Sequence, residues 1–72
     1  MSELVDARGL SCPQPVIDTL DALKRLGSGE VEVLVDTQTS KENVSRAANS
    51  QGWQVSQESE EGDTYRLVLA KG

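Results

Sequence analysis

The chain has no histidine and only one cysteine among its 72 residues. Each absence removes a class of chemistry. A single thiol cannot close a disulfide within the molecule, and without a second one a self-contained dithiol oxidoreductase is excluded. With no imidazole, no Cys–His nucleophilic pair can form inside the chain. Zinc sites draw on about four Cys, His or carboxylate ligands, so neither a metal nor another cofactor is expected. Basic residues are also scarce: 7 Lys and Arg stand against 12 Asp and Glu, a net charge of −5. A nucleic-acid binder shows a basic stripe that neutralises phosphates, and with none visible direct binding to DNA or RNA is not expected. No apolar run approaches the roughly 20 residues of a membrane span. The opening "MSELVDARG" lacks the basic and apolar regions of a signal peptide. A cytoplasmic protein with a reduced thiol is the expectation.

What is present suits one small domain over residues 1–72. A chain this short buries only about 60% of the surface it exposes when unfolded, so its many Val and Leu residues must form an efficient core. Glycines at Gly9, Gly27, Gly29, Gly52 and Gly62 punctuate segments whose periods differ. "ELVDA" (3–7) reads as a first strand. From Pro13 the period becomes helical, with Val16, Leu20 and Leu23 on one stripe widened by Ile17 and Leu26. Asp18, Thr19, Asp21, Lys24 and Arg25 fall on the other face, and Gly27 suits a left-handed helix end. "EVEVLVD" (30–36) alternates as a strand does. "TSKE" (39–42) matches a capping box, with Thr39 as the cap of a second helix and Glu42 reaching back to it. "WQVSQE" (53–58) and "TYRLVLA" (64–70) read as a hairpin around Glu60, Glu61, Gly62 and Asp63.

The resulting order is β-α-β-α-β-β. Right-handed crossovers make the first three strands parallel neighbours, with the last antiparallel to the third. Two helices on one face of a mixed four-stranded sheet make an α/β two-layer sandwich. The open sheet face is expected to be polar, carrying Glu30, Glu32, Gln54, Ser56, Thr64 and Arg66.

The cysteine sits in "GLSCPQPV" (9–16), directly before a proline pair. Proline is tolerated in the first turn of a helix, where amides have no intrahelical acceptor. Cys12 therefore falls at the helix start, held extended because it precedes Pro13. Gln14 also precedes a proline, so the regular helix begins at Pro13 or only at Pro15. A helix N-terminus carries about half a positive charge, which favours a thiolate. Arg8 adds to this, while Asp6 and the overall negative charge oppose it. Two readings of Cys12 stand open: a small residue filling space behind the loop, or an exposed nucleophile. The second is favoured by a strand-to-helix loop beyond a parallel strand, where open α/β sheets place their sites. With neither a base nor a resolving thiol in the chain, the fitting chemistry is a thiolate that accepts a sulfane sulfur and hands it on.

"LVDARGLSCPQPV" resembles the signature of the TusA/SirA-like family, Asp-x-x-Gly-x-x-Cys-Pro-x-Pro, through Asp6, Gly9, Cys12, Pro13 and Pro15. Length, element order and the closing "YRLVLAKG" extend the resemblance over essentially the whole chain. The resemblance implies a fold like the C-terminal domain of bacterial initiation factor three. It also implies a sulfur carrier, with Cys12 holding a persulfide. Partners implied are a persulfide donor such as a cysteine desulfurase and a sulfur acceptor. Residues 35–53 resemble the YedF-like branch, linked to selenium metabolism, whose Cys-Pro-x-Pro domain is commonly followed by a DsrE-like domain. Residues 1–72 correspond to the first of these, as a stand-alone member or as part of a longer chain.

The alternative is a small non-catalytic regulatory or protein-interaction domain in which the Cys-Pro-x-Pro motif caps the first helix. Asp6 is then a loop hydrogen-bonder and Gly9 supplies an unusual backbone angle. A thiol redox sensor, with a partner thiol from another molecule, is a third reading. Trp53 and Tyr65 are expected to pack against the helices, the acidic turn to be solvated, Lys41 and Arg46 to lie on the surface, and the chain to be a monomer.

Overall fold

The computed structural model describes residues 2–9 and 14–71. Its elements are β1 (Ser2–Asp6), α1 (Gln14–Leu26), β2 (Gly29–Val35), α2 (Gln38–Ser50), β3 (Gln54–Glu61) and β4 (Thr64–Lys71). The β-α-β-α-β-β order and the mixed four-stranded sheet are as the sequence suggests. No helix among the described residues is long and apolar enough to cross a membrane.

The strand order differs from expectation. It is β1-β2-β4-β3, with β1 and β2 parallel and β4 antiparallel to both β2 and β3. The first three strands are therefore not neighbours, because β4 lies between β2 and β3. Burial accounts for this. β4 places Leu67 and Leu69 fully in the core, whereas β3 is exposed along most of its length. A central strand is flanked on both edges, while an edge strand is best polar and charged.

The core joins Val31, Val33 and Val35 of β2 and Leu67 and Leu69 of β4 to Ala22 and Leu23 of α1 and Val44 and Ala48 of α2. Trp53 is buried at 2% exposure among them, and Tyr65 packs partly buried against their edge, as expected.

The expected stripe of α1 holds in most of its members: Leu23 is buried, and Val16, Leu20 and Leu26 pack partly buried against the core. Two positions are corrected, since Thr19 faces inward with Pro15 and Ala22, while Ile17 is 44% exposed. Thr19 can be buried because its Oγ1 donates to the Pro15 carbonyl at 2.8 Å, leaving no unpaired hydroxyl in the core. α2 also starts earlier than the capping-box reading. Its cap is Thr37, in extended conformation, whose Oγ accepts the Ser40 amide at 3.1 Å. Thr39 lies within the first helical turn and so cannot serve as the cap.

A register shift between Val55 and Gln57 inserts an extra residue into β3. It turns Glu58, opposite Leu67, to the helix side of the sheet, where its carboxylate meets Lys41 Nζ of α2 at 2.7 Å. Lys41 also lies 5.2 Å above the Tyr65 ring, so it ties α2 to the β3–β4 edge instead of standing free in solvent. The open sheet face is less polar than expected. Leu4 is 57% exposed there, and Leu34 and Val68 share the face with the Arg66–Glu32 ion pair at 2.9 Å.

Candidate functional site: the loop after the first strand

The parallel pairing of β1 with β2 sets Asp6 opposite Leu34. One residue on, the Ala7 amide donates to the Leu34 carbonyl at 2.8 Å, closing the ladder. The chain then turns. Asp6 Oδ1 accepts the Arg8 backbone amide at 3.2 Å and Arg8 Nε at 2.9 Å, while Oδ2 accepts Nη2 at 2.8 Å. A carboxylate accepting an amide two residues on is the local turn that Asp favours, here reinforced by a fork of charged hydrogen bonds. The Gly9 amide donates to Asp36 Oδ2 at 2.8 Å, reaching a residue 27 positions away.

The amides of residues 7, 8 and 9 thus all have acceptors, supplied by a strand carbonyl and two carboxylates. Gly9 has φ +76, a left-handed conformation that side chains disfavour. Among the described residues nothing lies within 4 Å of where its Cβ would stand, so the need for glycine there is conformational.

Electrostatics follow the same contacts. The hydrogen bonds from the Arg8 side chain, and next its amide, hold the Asp6 carboxyl down at about 2. The same pairing raises Arg8, with a smaller contribution from the charge of Asp36. Arg8 is therefore matched to Asp6, within a group of two carboxylates and one guanidinium. The charge of Arg8 is thus balanced within the loop by Asp6, and its effect on Cys12 concerns a residue outside the described ones.

Beyond the loop, α1 is already helical at Gln14, before the later of the two expected starts, and the earlier one, Pro13, lies outside the described residues. Gln14 Nε2 donates to Asp18 Oδ1 at 2.7 Å, and buried Pro15 anchors the first turn in the core. Among the expected site residues, Asp6, Arg8 and Gly9 come together and Pro15 sits at the helix start. Cys12 and Pro13 lie outside the described residues. Asp36 was missed. Its signal was in the sequence: a carboxylate directly after a strand that pairs in parallel with β1 must end beside the loop that leaves β1.

A two-layer sandwich with two helices on one sheet face, a clasped loop after β1 and a first helix whose opening turn holds a buried proline is a SirA-like domain. The SirA-like protein of Desulfitobacterium hafniense superposes with a TM-score of 0.88 at 33% identity, over 97% of each chain. The chain belongs to the TusA family: the family described as Sulfurtransferase TusA matches residues 3–71. Relatives provisionally named sulfur carrier proteins include YrkI of Bacillus subtilis, 31% identical over 97% of this chain and 95% of its own length. A second, from Methanocaldococcus jannaschii, is 37% identical over 93% of this chain and 91% of its own. YedF of Escherichia coli is 34% identical over 93% and 88%. This is a family of sulfur carriers, and its YedF likeness matches the resemblance in residues 35–53.

Proposed function

We propose that this chain is a single carrier domain that takes a sulfane sulfur onto Cys12 as a persulfide and passes it to an acceptor thiol. The Cys12 thiolate attacks the outer sulfur of a donor persulfide, such as that formed on a cysteine desulfurase. The donor's S–S bond breaks as the new one forms, and the donor's inner sulfur leaves as a thiolate. In the second step an acceptor thiolate attacks the outer sulfur, and Cys12 is the leaving group. Each step exchanges one S–S bond for another, so no oxidant, metal or base is consumed. Thiolate character comes from the start of α1 and not from Arg8, which is committed to Asp6.

The observation that carries this reading is the fixing of the segment around Cys12 at both ends. On one side Asp6 and Asp36 hold the amides of Arg8 and Gly9. On the other, Pro15 seats the first turn of α1 in the core. A relay benefits from a thiol held in place, since pre-positioning removes orientational cost from each transfer. The test is cyanolysis of loaded, repurified protein. Cyanide removes a sulfane sulfur as thiocyanate and returns the thiolate. One equivalent is expected from the wild type and none from Cys12→Ser; a wild type that yields none contradicts the reading.

A further inference from the structure

We propose that Asp36 is a positioning residue for the sulfur relay: its carboxylate oxygen, by accepting the Gly9 amide, sets the direction in which the Cys12 segment leaves β1. The inference rests on the carrier reading. Three observations support it. The contact is 2.8 Å long and spans 27 residues, so it joins the loop to a separate part of the fold. Asp36 is itself held on both sides, by Val35 fully buried at the end of β2 and by Thr37 capping α2. Its carboxylate is therefore placed by the sheet and the second helix together.

The third observation is Gly9 itself. Its left-handed backbone turns the chain at this residue, and no side chain among the described residues packs where its Cβ would be. The hydrogen bond to Asp36 is the contact that selects this turn over others open to glycine. A carboxylate favours no thiolate, so what Asp36 offers the loop is a hydrogen-bond acceptor.

An amide oxygen can accept the same hydrogen bond without the charge, whereas a methyl cannot. Asp36→Asn is therefore expected to load persulfide from a cysteine desulfurase within about threefold of the wild-type rate. Asp36→Ala should be slower by about tenfold to a hundredfold, the scale of an ångström-sized misplacement. Thermal midpoints measured on both variants separate misplacement from unfolding. Equal loading by Asp36→Ala and the wild type overturns the proposal, as does an Asn variant as slow as the Ala variant.

Amide hydrogen exchange on the wild type gives a second readout that needs no variant. The Gly9 amide should exchange slowly, and exchange at the rate of an unstructured peptide overturns the proposal. This readout does not depend on sulfur. If the wild type fails to load at all while the Gly9 amide is protected, the carrier reading fails and the Asp36 clasp stands.

Discussion

Arg8 lies with Nε and Nη2 on the two carboxylate oxygens of Asp6, at 2.9 and 2.8 Å, and its own backbone amide returns to the same carboxylate. The pair turns the chain as it leaves β1. Both side chains are about half exposed, so their worth lies in geometry more than in stability.

The pair has a pH signature. Asp6 is held at about 2, below its ordinary 3.8, first by the Arg8 side chain and then by the Arg8 amide. A carboxyl whose folded-state value is depressed gives its contribution in the ionised form. That contribution is fully present above about pH 4 and is lost as pH falls through about 2. Carboxyl carbon NMR should show Asp6 titrating near 2 in the wild type and higher in Arg8→Ala, yet still below the ordinary carboxyl value because the amide at position 8 is kept. An unshifted wild-type midpoint contradicts the pairing.

The start of α2 is testable by comparing two threonines. Thr37 accepts the Ser40 amide as the helix cap, whereas Thr39 is already helical. Thr37→Ala should lower stability by about 1 kcal/mol in urea denaturation. Thr39→Ala should change it by less than about 0.5 kcal/mol. The reverse ranking supports the capping-box register instead.

The strand order makes a third prediction. Leu67, fully buried on β4, should cost about 2–5 kcal/mol when cut to Ala. Leu4, 57% exposed on the open face, should change stability by about 0.5 kcal/mol or less. Comparable losses at both sites in urea denaturation would show that the open face is covered.

These residues also show what local pattern reveals. Val31, Val33 and Val35 alternate, and all three are buried, because a strand's side-chain period is set by its backbone. The helices were legible from their period, with the edge of the α1 stripe misplaced at Ile17 and Thr19. Thr19 faces inward because its hydroxyl is satisfied by Pro15, a bond that polarity alone does not reveal. Which strand lies in the centre is decided by long-range pairing, so β4 appeared beside β3 but not beside β2. Glu58 faces Lys41 only because of the bulge before it. At the site, Asp6 and Gly9 were legible from a contiguous motif, whereas Asp36 had to be inferred through the parallel pairing of β1 with β2 and was overlooked.

The central claim is that Cys12 carries sulfur, and intact-mass spectrometry tests it most directly. Wild type and Cys12→Ser are incubated with a cysteine desulfurase and cysteine, then weighed before and after treatment with a reducing thiol. The account predicts a gain of one sulfur atom on the wild type, removed by the thiol and absent from the variant. No gain, together with a Cys12 that resists alkylation, would contradict it and leave the Cys-Pro-x-Pro motif with a structural role only.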